Sequence, residues 1–179
     1  LLLSLLAACA GAPKQPSYYL LRSPVAEGSG ELQISKRFAM GHFELAPYLE
    51  QPGIVMETGS GEVRPANHNR WAEPPREALA RYLGDEVSRA LGEDVTHASG
   101  GNELTLFDVR IDQLHGTEAG EARLVASWSV RDAGAPARHY RFSESTTLNR
   151  SGYPALVQSM QALLSSLSRS IAGSLTVPG

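Results

Sequence analysis

EARLVASWSVR, Glu121–Arg131, alternates without a break: Ala122, Leu124, Ala126, Trp128 and Val130 fall on one side, mostly polar residues on the other. A period of two marks a strand with one buried face, and in an antiparallel sheet that face is the one covered by helices. Breakers at Gly116–Gly120 and Gly134–Pro136 bracket the segment, so Glu103–Asp112 and Arg138–Leu148 read as its neighbours in a three-strand meander. The first neighbour changes parity between Leu106 and Phe107, which leaves open a bulge or a strand apolar on both sides.

The helices to cover this face stand on either side of the meander. Pro74-Pro75 suits a first helical turn, and Leu79, Tyr82, Leu83, Val87, Ala90 and Leu91 then recur at helical spacing until Gly92 stops the run. A second helix runs from about Tyr153 to Ala172 with the stripe Leu156, Met160, Leu163, Leu164, Leu167 and Ile171. Its opposite face is Gln158, Gln161, Ser165, Ser166 and Ser168, and Arg169 is the sole charged residue from Ser151 to the last position. That face is either Ser-rich and solvated or meets another protein, which makes Gln161, Ser165 and Ser168 candidate partner-binding residues. Upstream, Ser17–Arg22 and Glu31–Phe38 read as strands around Gly28–Gly30, and Gly53–Glu57 and Glu62–Ala66 as a hairpin around Gly59-Ser60-Gly61, with Pro65 on an edge or at a bulge. The expected fold is α+β: a two-layer sandwich, a mostly antiparallel sheet of about six to seven strands with two main helices on one face.

The 179 residues are 42% hydrophobic, enough for one core. A net charge of −3 with scattered Lys and Arg excludes a nucleic-acid surface as the expected partner. His42, His68, His97, His115 and His139 are dispersed without the i, i+4 pairing of a helical zinc motif, so no metal ligand is assigned. Gly59–Glu62 lacks the third glycine of a dinucleotide fingerprint. Asp108, Asp112 and His115 lie close in sequence, but nothing in their spacing makes them an acid–base set, so neither catalysis nor a cofactor is expected.

The opening LLLSLLAACAGAPKQPS is too short and apolar for too few residues to span a bilayer, which takes about 20. It fits the end of a secretory signal, and Leu6-Ala7-Ala8-Cys9 resembles a bacterial lipobox, in which the cysteine carries the lipid. Residues 1–8 then read as a signal remnant, 9–16 as acylated Cys9 and a short tether, and 17–179 as a single domain. Ala10 replaces the Asp that resembles an inner-membrane retention signal, so the expected site is the periplasmic face of the outer membrane.

Three further words carry a resemblance: Tyr18-Tyr19-Leu20-Leu21, then Ala46-Pro47-Tyr48-Leu49 with Gln51-Pro52-Gly53-Ile54-Val55, then Asn69-Arg70-Trp71-Ala72-Glu73-Pro74. Together they resemble the ABC-type transport auxiliary lipoprotein family, the PqiC-like proteins, over nearly the whole chain after Cys9. Met40-Gly41-His42-Phe43 departs from the Val-Gly-Pro-like start members more often show. The resemblance implies a lipid-anchored, non-enzymatic component held by its N-terminal acyl chains. Its implied partners are an MCE-domain protein and ABC transporter components, which would move phospholipids or other hydrophobic compounds between the membranes; association of copies with one another is left open. A lipoprotein that itself binds a small hydrophobic ligand is the alternative. Tyr48, Leu49, Arg70, Trp71 and Glu73 are candidate partner contacts on this reading, since aromatic residues and Arg are favoured at the cores of interfaces. The competing reading has Trp71 plugging the core and Arg70 paired with Glu73.

Overall fold

A computed structural model describes residues 15–23, 33–97 and 103–176. Cys9, the signal remnant, the tether up to residue 14 and the Gly28–Gly30 turn lie outside the described residues. In chain order come β1 (Ser17–Tyr19), β2 (Gln33–Ile34), β3 (Phe38–Leu45), a 3-10 turn (Pro47–Glu50), β4 (Gly53–Glu57) and β5 (Val63–Trp71). They are followed by α1 (Pro75–Leu91), β6 (Glu93–Asp94), β7 (Thr105–Thr117), β8 (Glu121–Arg131), β9 (Arg138–Thr147) and α2 (Tyr153–Thr176). The main sheet runs β1-β5-β4-β7-β8-β9, and β3 pairs with β7 beside β4.

The strand predicted from strict alternation is β8, and its five apolar positions are all buried beneath α2. Trp128 closes this layer: its indole N–H donates to the Ser174 hydroxyl on α2 at 2.9 Å, and its ring stacks on Tyr140 of β9 at 5.1 Å. α1 packs against α2 and β3. Pro75 starts it where a missing N–H costs nothing, and Gly92, at φ +71°, ends it with its N–H on the Ser88 carbonyl. Leu79, Tyr82, Leu83 and Val87 are buried as their spacing requires and Leu91 packs on the core, but Ala90 is exposed.

The sheet is mixed, and its longest ladders, β7 with β8 and β8 with β9, are antiparallel as expected. β1 and β5, β3 and β7, and β4 and β7 are parallel; β4 and β5, β7 and β8, and β8 and β9 are antiparallel. Parallel neighbours need long connections, and the β3-to-β7 path supplies one by way of α1. β3 and β4 lie in tandem along one edge of β7, at Thr105–Ile111 and at Gly116–Thr117. Between them the chain leaves the sheet as the 3-10 turn, and β7 shifts register between Ile111 and Gln113. Phe107, Val109 and Ile111 are buried before the shift and Leu114 after it, so the parity change sits at Asp112, five residues beyond the point where the sequence places it.

The segment expected as one strand over Glu31–Phe38 divides instead. The buried Ser35 hydroxyl accepts the N–H groups of Arg37 at 3.2 Å and Phe38 at 3.0 Å, a local turn that ends β2 and restarts the chain as β3. β2 then pairs with β6 in a small parallel ladder of its own. In β3 the Asp108 carboxylate accepts the His42 N–H at 2.7 Å, and a Cβ on Gly41 would stand 2.3 Å from the same oxygen. A side chain at Gly41 would have to displace the Asp108 carboxylate from that bond. Pro65 lies opposite Val55 on the part of β5 that β1 leaves uncovered, where its missing donor breaks no ladder.

Candidate functional site

The residues singled out by sequence fall into three places. The first is the 3-10 turn. Leu49 is 5% exposed and belongs to the core, so it is not a surface contact as expected: the turn's helical spacing drives it inward. Tyr48 is half-buried and donates its hydroxyl to the Asp112 carbonyl at 3.2 Å, filling a backbone acceptor at the bulge. Burial, with the carboxylates of Glu57 and Asp112 near by, pushes its phenol up to about 12. Glu50 pairs with Arg76 and so ties the turn to the first turn of α1.

The second place is the edge formed by β1 and β5. Ser17, Tyr18 and Tyr19 stand opposite Asn69, Arg70 and Trp71. Tyr19 and Trp71 turn inward and pack on the core, and the Tyr19 hydroxyl donates to the Asn69 side-chain oxygen at 3.1 Å. Backbone bonds from Ala72 N–H to the Tyr19 carbonyl and from Trp71 N–H to the Pro52 carbonyl, both 2.8 Å, fasten this corner. Glu73 pairs with Arg81, a turn along α1, and not with Arg70. Trp71 therefore packs on the core at the helix entrance, whereas the Arg70 side chain makes no hydrogen bond or ion pair with any described residue. The sequence pattern missed Tyr18 and Leu20, which this edge exposes. Their signal was the buried Leu21, which sets the parity of an otherwise unbroken apolar run.

The third place is the seam between the helices. Glu86 of α1, 7% exposed, accepts hydrogen bonds from Ser165 at 2.8 Å and from Ser23, and pairs with Arg89 at 2.6 Å. Burial alone would raise its carboxyl, but those hydrogen bonds and the Arg89 charge outweigh it and hold the group below its ordinary value. Tyr82 reaches across to the Gln161 carbonyl at 3.2 Å and the Ser165 hydroxyl at 3.0 Å. Ser168, 1% exposed, donates to the Leu164 carbonyl at 2.9 Å. The Ser-rich side of α2 thus meets α1 of the same chain at Gln161 and Ser165. Ser168 is closed to any partner, a correction to its expected role. Beyond the seam a groove of about 560 Å³ opens between the helix ends, with Ala90, Leu91 and Gly173 as its small apolar lining and Glu86, Arg89 and Arg169 as its charged one.

Asp108, Asp112 and His115 serve separate pairings. Asp108 bonds Arg131 at 2.8 Å, Asp112 bonds Arg110 at 2.7 Å, and buried His115 lies 3.8 Å from Glu57. Among the described residues no group of three or more His, Cys, Asp or Glu is placed to hold a metal ion, and no helix is long and apolar enough to cross a membrane.

A family model described as the ABC-type transport auxiliary lipoprotein component matches residues 18–172. No curated protein matches the chain. Among solved structures, the crystal structure of an uncharacterized protein is 21% identical and superposes with a TM-score of 0.78, covering 90% of this chain and 99% of its own. A Xanthomonas campestris protein of the DUF330 family is 13% identical with a TM-score of 0.65, covering 88% of this chain and 93% of its own. At these identities the two structures are similar in fold.

Proposed function

The chain belongs to the ABC-type transport auxiliary lipoprotein family, and from that membership we propose that it is a lipid-anchored accessory component of a trans-envelope transport system, working without catalysis of its own. Residues 1–8 are the signal remnant, Cys9 carries the lipid, and residues 9–16 tether a single domain over 17–179 to the periplasmic face of the outer membrane. Its partners on this reading are an MCE-type protein and an ABC transporter that moves phospholipids or other hydrophobic compounds between the membranes. The family match carries the reading. Support comes also from the chemistry of the body: Glu44, Glu57, Asp108 and Asp112 are paired with arginines in bridges between strands or along them, and the helix seam is satisfied internally. What such a component needs is an anchor, a rigid body and a surface to dock.

Acylation at Cys9 would hold the chain firmly, since each buried methylene contributes about 0.8 kcal/mol and more than one chain makes release slow. The test is membrane extraction of the native protein with intact-mass measurement and identification of what co-purifies. Acylated protein that brings MCE and ABC components is the expected result, and Cys9→Ser should move the chain to the soluble fraction. An unmodified sulfur on freely diffusing protein would overturn the proposal.

A further inference from the structure

We propose that the outward side of the β1 edge, Tyr18 with Arg70 opposite it and the exposed Leu20 and Arg22 of the segment that follows, is a contact surface for phospholipid headgroups. Exposure alternates along this segment: Tyr18 is 61% and Leu20 39% exposed, Arg22 is exposed, and Leu21 between them is 4% exposed in the core. Two large apolar side chains thus face outward within three residues, at a position where a solvated edge strand ordinarily carries charge or proline. Tyr18 stands in register with Arg70 and so shares its side of the sheet, while the residue opposite Arg70 on the next strand is Gly53, which offers it no side chain. The Arg70 side chain has no hydrogen bond or ion pair among the described residues, and its Nε is shut off from solvent without a partner. Arg22 is likewise unpaired among them.

An amphipathic ring, a leucine and guanidinium groups together match the boundary layer of a bilayer. Tyrosine settles at headgroup depth, and arginine presents a fork of donors that fits phosphate oxygens. The terminal guanidinium nitrogens of Arg70, without a partner among the described residues, offer such an oxygen a fork of donors beside an exposed ring. The occupant follows from the covalent chain. Nine residue steps separate Cys9 from Tyr18, a reach of about 30 Å when fully extended, so an anchored protein keeps this edge near the lipid. The inference therefore rests on the Cys9 anchor proposed above, and the experiment is chosen to separate the two.

The probe is vesicles of phosphatidylethanolamine and phosphatidylglycerol, and the protein is the chain from residue 9 carrying Cys9→Ser, so that neither an acyl chain nor the apolar residues 1–8 contribute. Flotation should show measurable binding. Tyr18→Ser with Leu20→Ser should lower the bound fraction roughly tenfold. Arg22→Gln with Arg70→Gln should lower it several-fold, and added salt should erase that difference between the arginine variant and its parent. Tyr18, Leu20 and Arg22 are exposed, so a triple variant at those positions should melt as the parent does and report on binding alone. Absent vesicle binding by the Cys9→Ser chain, or equal binding by all variants, overturns the inference. So does a variant set that keeps vesicle binding and instead loses a protein partner from membrane extracts. An acylated Cys9 found alongside such a result would leave the anchor standing, whereas an unmodified Cys9 with variant-sensitive binding would remove the anchor and keep the surface.

Discussion

Tyr48 shows how one side chain joins two irregularities. Its ring follows Pro47 in the 3-10 turn, and its hydroxyl fills the Asp112 carbonyl at the bulge of β7. Tyr48→Phe removes that donor and leaves the acceptor short, so urea denaturation should show a loss of about 1–2 kcal/mol. The pH dependence has a definite sign. The folded phenol titrates at about 12, against about 10 in the unfolded chain, so the folded state keeps the proton longer. Its contribution is complete below pH of about 10 and is lost as pH rises toward about 12; the Phe variant should show a flatter alkaline limb over that window. The sequence marked Tyr48 and Leu49 as a pair, yet only geometry separates them. In a turn of about three residues per repeat, neighbours point apart, one to the bulge and one to the core.

At the scale of elements, α2 has two partners and its sequence displays one. The Leu, Met and Ile stripe facing the sheet was legible from spacing, because apolar burial imposes a period. The side facing α1 was not, since the bonds across the seam are made by Ser165, to Tyr82 and Glu86, and a buried hydroxyl looks like a solvated one in sequence. Glu86→Ala should remove the acceptor shared by Ser23, Ser165 and Arg89 and cost about 2–3 kcal/mol in thermal or urea unfolding. A double-mutant cycle with Ser165→Ala should find the two positions coupled rather than additive. On the sheet side, Trp128→Ala removes both the stack on Tyr140 and the bond to Ser174, and an expected loss of about 3–5 kcal/mol makes it the more damaging change. β8 was read to the residue because its period of two is unbroken. β3 was hidden, for it pairs in parallel with a strand about 65 residues later and its register shifts between Met40 and Phe43, so no single local period runs through it.

Taken whole, the molecule puts its two helices against a mixed sheet and gathers its buried residues in one cluster. Composition announced that single core, while the order of strands depended on pairings between residues far apart in sequence. β1 illustrates the point: it is first in the chain, yet its partner Trp71 follows Tyr19 by about 50 residues, a separation that no local pattern reveals. The candidate contacts divide the same way. Arg70 and Trp71 share a strand but take opposite sides of it, and only the register with Tyr18 and Tyr19 tells which side looks outward.

The same three-residue strand has a mechanical meaning. A pull on the N-terminus enters the fold at Ser17 and meets a ladder of three residue pairs, so it peels away a short edge long before it strains the meander. β1 would act as a fuse, yielding under tension and rejoining when slack returns, while the core stays closed. Hydrogen exchange should then find the Ala72 amide, bonded to Tyr19, opening faster than those of β8; equal protection would show the strand to be welded to the core.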